Sequence, residues 1–267
     1  MLKKIRNYLV DPRILNIDKD GEDRILIHNQ ILSSKKMMRD VFKEFYLTCI
    51  SIADNFFCKD GDELEIGAGV SFFKKIRPKL IVTDIVFAPH LDYILDAQNM
   101  VQIDNSSLRS IYAMNVFHHI PNPREFFKEL GRVLKPGGGC ILIEPFYGPV
   151  ARHFFNALHA SEHYNHKQSV WEAKESMGVM SNANQALSYI VFERDREIFL
   201  KEFPEFEIVV SRPLQNYLRY LCSGGINFRQ LLPDFCTPIL RSLEFFLWPL
   251  CRVTALHHVI AIRKKPV

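Results

Sequence analysis

A doubly wound α/β fold with a helical cap is the architecture this sequence predicts, on three observations. From Glu63 onward short apolar runs alternate with helical or turn segments, the first run feeds a glycine-rich turn, and residues 213–256 place an apolar, helix-forming stretch between the last two runs. Runs so short and so continuously apolar suit strands of a parallel sheet covered on both faces.

Residues 1–30 read as irregular. A long amphipathic helix is expected from about Ser34 to Phe57, because Met38, Val41, Phe42, Phe45, Cys49, Ile52 and Phe56 recur at helical spacing. Buried strands are expected at Leu64–Ile66, Leu80–Thr83, Tyr93–Leu95, Ile111–Met114 and Cys140–Ile143. The best-marked helix lies between the fourth and fifth: Asn122 caps it, Pro123 takes its first position, Glu125 can return the capping bond, and Phe126, Phe127, Leu130, Val133 and Leu134 share a face. Pro136-Gly137-Gly138-Gly139 is expected to stop it. After Pro145 the alternation fails until strands resume at Phe206–Ser211 and His258–Arg263. The stretch between those two carries a Ser223-Gly224-Gly225 turn and a helix from Pro238 to Trp248, and reads as a cap over the active site.

The chain has 267 residues, 48% hydrophobic and 24% charged, with a formal net charge of +4, values ordinary for a soluble globular protein. Basic residues cluster only at Lys3-Lys4-Arg6 and Arg263-Lys264-Lys265, so a nucleic-acid partner is not expected. Six cysteines lie far apart without a C-x-x-C pair, which suits buried thiols in a reducing compartment. No run reaches the roughly 18 apolar residues of a membrane span, and Asp11, Arg13 and Asp18 interrupt any signal-like stretch. A cytoplasmic location is the expectation. The consecutive Phe245, Phe246, Leu247 and Trp248 leave contact with a membrane surface open.

The chemistry is expected at the strand ends. Glu65-Ile66-Gly67-Ala68-Gly69 forms a turn that lets backbone approach a ligand closely, and Glu65 suits a cofactor bearing an ammonium group. Phe72 stands where a dinucleotide turn would want a third glycine, which disfavours a nicotinamide-dependent oxidoreductase. Asp84, with Ile85 beside it, falls fifteen residues after Gly69, where a carboxylate can accept from both ribose hydroxyls. Asp96 can accept from an adenine amine while the backbone at Ala97 reads the ring. Glu65, Asp84 and Asp96 together describe a nucleoside site with a cationic tail.

Three further segments carry a resemblance: Asn115-Val116-Phe117-His118-His119-Ile120-Pro121, Arg132-Val133-Leu134-Lys135-Pro136-Gly137-Gly138 and Ile143-Glu144-Pro145. With the glycine turn they resemble the type-11 branch of class I S-adenosylmethionine-dependent methyltransferases over about residues 60–150. More loosely, Leu158-His159…Glu162, Asn184-Gln185-Ala186 and Ser223-Gly224-Gly225 are similar to bacterial members of that branch. The resemblance implies a Rossmann-like seven-stranded sheet with a reversed final β-hairpin. It divides the chain into an N-terminal segment and helix (1–57), an S-adenosylmethionine-binding core (58–150), a substrate-side region (151–205) and the last strands with their insertion (206–267). It implies that Glu65, Gly67, Ala68 and Gly69 hold the methionine part, Asp84 and Ile85 the ribose, Asp96 and Ala97 the adenine, and Asn115 the region near the sulfonium. S-adenosylhomocysteine would be the product. Two departures are Ser71, where many members have glycine, and Arg109, where an aspartate often stands.

The acceptor is expected to be a small molecule, a glycan or a lipid-linked group, methylated at oxygen, with nitrogen and carbon open. A non-catalytic binding module on the same fold is the alternative. Because the sulfonium is a good leaving group, alignment of the nucleophile is the main task, and a base is needed only for a hydroxyl. His118, His119 and His159, with Glu162, are the candidate catalytic groups. His159 and His163 at helical spacing around Glu162 invite a metal reading, but no cysteine lies nearby and methyl transfer in this branch does not usually require one, so no metal is expected.

Overall fold

The computed structural model describes residues 8–15, 17, 21, 23–158, 162–173 and 183–266. Its frame is a seven-stranded sheet: β1 (Asp62–Ile66), β2 (Ile81–Asp84), β3 (Tyr93–Ile94), β4 (Leu108–Met114), β5 (Leu134–Pro145), β6 (Phe206–Pro213) and β7 (His257–Lys264), in the order β3-β2-β1-β4-β5-β7-β6. The first five strands run parallel, and β7 is antiparallel to both β5 and β6, the reversed final hairpin that was expected.

Side chains alternate across the central strands as the two-residue period requires. Ile111 and Ala113 of β4, Cys140 and Leu142 of β5, and Ile260 and Ile262 of β7 join one core layer. Tyr112, Ile141, Ile143, Val259 and Ala261 join the other. On that second face lies α2 (Lys36–Phe56), which buries Val41, Phe45, Cys49, Ile52 and Ala53 in one stripe. The first face is covered by α3 (Pro123–Val133) through Phe126, Phe127, Leu130 and Val133. Asn122 caps α3 as expected, its side chain accepting from Arg124 N and Glu125 N. Glu125 pairs with Lys128 instead of closing the box, and Asn122 N donates to Gln98 Oε1.

Several expectations are corrected. The N-terminal region is not irregular throughout: a 3-10 turn occupies Pro12–Ile14, and α1 spans Asp23–Ser34. Only Ile25, Ile31 and Leu32 of α1 are buried, too sparse a stripe for periodicity to reveal. The third strand is not buried. Tyr93 and Ile94 are exposed because β3 is the sheet edge. The glycine run after α3 does not merely stop the helix but enters β5, where a Cβ on Gly139 would stand 2.3 Å from the Phe57 ring and 2.4 Å from Ile262 O. Arg109 stands at the start of β4, the end opposite the expected site: buried, it pairs with Glu63 and Asp54 and donates to Cys58 O, fastening β4 to the end of α2.

After β5 come α4 (Pro149–Leu158), a helical turn at Leu187–Tyr189 that widens into a π-turn at Ile190–Arg194, and α5 (Arg196–Glu202). Between β6 and β7 lie α6 (Tyr217–Ser223), α7 (Thr237–Phe246) and α8 (Cys251–Thr254), the helical insertion expected there. Among the described residues no helix is long and apolar enough to cross a membrane.

Candidate functional site

The carboxyl ends of β1, β2 and β4 meet at the glycine turn. Gly67 and Gly69 take φ +60° and +51°, and a Cβ on Gly67 would stand 2.3 Å from Val116 Cγ2, so no larger residue fits where the turn passes under the end of β4. Ser71 and Asn115 also take positive φ, 37° and 55°, which crowds backbone into a narrow hollow at this end of the sheet. A cavity of about 260 Å³ opens there, lined by Glu65, Gly67, Ala68, Gly69, Asp84, Ile85 and Asn115 among others. Seven of the nine expected cofactor residues therefore share one hollow. Asp96 and Ala97 line a neighbouring cavity of about 1020 Å³, and Gly67, Ile85, Val116, His118 and His119 line both.

Glu65 is 2% exposed. Among the described residues its donor is Ser71 Oγ at 2.8 Å, and no ion pair reaches it. Burial raises its pKa to about 8, the Ser71 bond lowering it and the nearby Asp84 charge raising it. Ser71, one of the two noted departures from the resemblance, thus holds this carboxyl. Asp84 spends one lone pair of each oxygen on the turn: Gly69 N donates to Oδ2 (2.9 Å) and Val86 N to Oδ1 (3.0 Å). Each oxygen keeps a second lone pair for a ligand. At the β3 tip, Asp96 Oδ1 accepts from Gln98 N at 2.9 Å.

Beyond β4 the chain turns through Phe117–His119. His118 is buried, and its Nδ1 lies 2.5 Å from Oε2 of the fully buried Glu144; the other oxygen of Glu144 accepts from Val116 N (2.9 Å) and Phe117 N (2.8 Å). Burial alone would lower the His118 pKa, but Glu144, by charge and hydrogen bond, and Glu162 raise it above the ordinary imidazole value. Glu162 reaches both histidines, 3.8 Å from His118 Nε2 and 3.9 Å from His119 Nε2. Gln185 Nε2 in turn donates to Glu162. His159 and the cluster Lys3-Lys4-Arg6 lie outside the described residues.

Reasoning from the sequence left Glu144 without a role although it stands at a strand end, the position that made Glu65 and Asp84 candidates. It also did not single out Tyr220 and His257, whose rings lie 4.5 Å apart on the far wall of the glycine-turn cavity. No local pattern flags them, since the insertion brings Tyr220 to β7.

Residues 80–142, from β2 to the middle of β5, match the family model described as a methyltransferase domain. No curated protein matches the chain. Among solved structures, the chain is similar to a Haemonchus contortus phosphoethanolamine N-methyltransferase 2 in complex with phosphomonomethylethanolamine and S-adenosylhomocysteine: 14% identity, TM-score 0.43, over 82% of this chain and 52% of that one. The chain thus spans about half the length of that protein. It is also similar to geranyl diphosphate C-methyltransferase from Streptomyces coelicolor, solved with Mg2+, geranyl diphosphate and S-adenosyl-L-homocysteine: 11% identity, TM-score 0.47, over 98% and 96%.

Proposed function

We propose that this protein transfers a methyl group from S-adenosylmethionine to an oxygen on a small polar group whose apolar remainder, lipid-linked or otherwise, lies beside the cap. The observation that carries the reading is Glu65: a buried carboxyl with a hydroxyl donor and, among the described residues, no cation, at a turn where only glycine fits. A buried carboxylate is costly until a cation neutralises it, and the α-ammonium of the cofactor is such a cation.

Residue by residue, Glu65 and the backbone of Gly67, Ala68 and Gly69 hold the amino-acid end, Asp84 and Ile85 the ribose, Asp96 and Ala97 the adenine, and Asn115 the sulfur region. When bound, the cofactor supplies an electrophilic methyl carbon on a sulfonium that departs as a neutral thioether. The chain's task is then to aim the acceptor oxygen, exclude water and accept its proton. In this reading His118 and His119, which line both cavities, and Glu162, which lines the glycine-turn cavity, bind and activate that oxygen.

The apolar part of the acceptor is supported by a third cavity, about 230 Å³, lined by Tyr220, Leu221, Ile226, Phe228 and Leu231 and sharing Tyr220, Ile226 and Asn227 with the glycine-turn cavity. Nearby in the chain, α7 and the turn after it expose Ile239, Phe245, Phe246 and Trp248, with the exposed Arg241 and Arg252 alongside. Apolar side chains rimmed by cations suit an anionic lipid surface that would present a lipid-linked acceptor.

Calorimetric titration with S-adenosylhomocysteine and with NAD tests the reading. Binding of the first and not the second is expected. Binding of NAD would make the protein an oxidoreductase, and binding of neither would favour a non-catalytic interaction module.

A further inference from the structure

We propose that His118, His119 and Glu162 form a binding site for a divalent transition-metal ion, which holds and acidifies the acceptor oxygen at the junction of the two cavities. This deepens the methyl-transfer reading and rests on it for the role, though not for the site.

The geometry is that of a site with three protein ligands. One ligand atom from each of the three residues lies within 4.8 Å of the other two. Glu162 stands 3.8 and 3.9 Å from the two Nε2 atoms, so a small inward movement of one carboxylate closes the set around a cation. Ligand atoms about 2.0–2.2 Å from a common ion are separated by roughly 3.0–3.5 Å in tetrahedral or octahedral arrangements.

The surroundings fix the ligands as metal sites do. A metal-bound histidine typically gives its other ring nitrogen to a carboxylate, which sets the tautomer and orients the ring. Glu144 does this for His118: its Oε2 lies 2.5 Å from Nδ1, leaving Nε2 to face Glu162. Two backbone N–H groups pin the other oxygen of Glu144, so the orienting group cannot swing away. Gln185 performs the matching service for Glu162. An isolated histidine pair needs none of this support.

The donor set of two imidazoles and one carboxylate suits Zn2+, Co2+, Mn2+ or Fe2+ better than a purely oxygen-seeking ion. Three protein ligands leave a coordination position open, and here the open side faces the cavities that His118 and His119 both line. A hydroxyl bound there would lose its proton more readily and attack as an alkoxide. The methyl carbon gains the oxygen, its bond to sulfur breaks with the electron pair staying on sulfur, and the acceptor proton leaves to solvent. No oxidant or reductant is involved.

The test uses the full chain, stripped with a chelator and titrated with Co2+ followed by visible spectroscopy, and with Zn2+ followed by calorimetry. One ion per chain is expected. Glu162→Gln and His119→Ala should each weaken it at least tenfold, and Glu144→Gln by about 10–100-fold, the usual effect of losing a supporting carboxylate. Circular dichroism checks each variant's fold, and Glu162→Gln, being isosteric, is the one least able to disturb it. Absence of Co2+ and Zn2+ uptake by the wild type overturns the proposal, as does equal affinity in Glu162→Gln and His119→Ala. S-adenosylhomocysteine titrated into the same samples keeps the two readings apart: uptake of cofactor without metal sinks only the metal site, and uptake of metal without cofactor sinks only the methyl-transfer reading.

Discussion

The two halves of this molecule share one apolar core but hold their cavity-facing side chains in place by different means. The half from β1 to β5 rests on apolar burial and parallel ladders: Leu64, Ile111, Ala113, Cys140 and Leu142 are fully enclosed, and Glu65, Asp84 and Asn115 are each within a residue of a sheet pairing. The half from α4 to α8 buries Ile190, Val191, Phe192 and Phe199 in that core, but where it has few long elements it is tied in addition by polar side chains. Arg219 clasps the cap to α2 through Glu44 and Glu244, and Asn184 alone makes four hydrogen bonds across the segment that roofs the larger cavity. A ladder positions a strand tip whatever its side chain; a clasp positions only as long as every member is paired.

The largest effect should come from breaking the clasp. Arg219 is 3% exposed and donates to Glu44 at 2.6 and 2.7 Å and to Glu244 at 2.6 Å, while burial raises the Glu244 pKa against the pull of Arg219. Arg219→Ala strands a buried carboxylate and should cost on the order of 3–5 kcal/mol of stability, read by chemical denaturation. Adding Glu244→Gln should recover a large part. If the single variant unfolds within about 1 kcal/mol of wild type, the later half is held by apolar packing and the contrast fails.

Next comes the strand side. Glu65→Gln should weaken S-adenosylhomocysteine by roughly 1.5–3 kcal/mol, since a charge-assisted bond is lost, and should make the empty protein more stable. A carboxyl raised to about 8 in the fold, from an ordinary 4.5, favours the native state below about 4.5 and loses that contribution as pH climbs to about 8. The stabilisation from Glu65→Gln should therefore grow across that window, to a few kcal/mol at most. Cofactor binding has the opposite sign: the bound ammonium favours ionised Glu65, so wild-type affinity should rise from pH 6 to 8 while the variant's stays flat. Flat wild-type affinity would separate Glu65 from the ligand's cation.

The same division explains what could be read from the sequence. The glycine turn, the Asn122 cap and the alternation of β4 and β5 are local patterns, legible because neighbouring residues enforce them. The exposure of Tyr93 and Ile94 was not legible, because being at a sheet edge is a property of strand order. Nor was the meeting of His118, Glu144 and Glu162, which come from three separate segments and touch only once β4, β5 and the chain after α4 are assembled. Adjacent carboxylates at strand tips can be found by spacing; a cluster closed by a loop has no spacing to find.

The smallest and most local effect should come from Asn184. Its Oδ1 accepts from Asn165 N (3.0 Å) and Ala186 N (3.1 Å), and its Nδ2 donates to Asn165 O and Gln168 Oε1, both at 2.9 Å, beside an isolated bridge between His163 and Asn184. Asn184→Ala removes all four partners at once, yet water can reach the exposed Asn165 and soften the loss. About 1–2 kcal/mol is expected, which appears in hydrogen exchange as a tenfold or greater speeding at the amides of Asn165 and Ala186. Amides of β4 and β5 should keep their wild-type rates, because nothing in their ladder passes through this side chain. Should they quicken equally, the roof and the sheet open as one cooperative unit, and the larger cavity cannot admit an acceptor by loosening its roof alone.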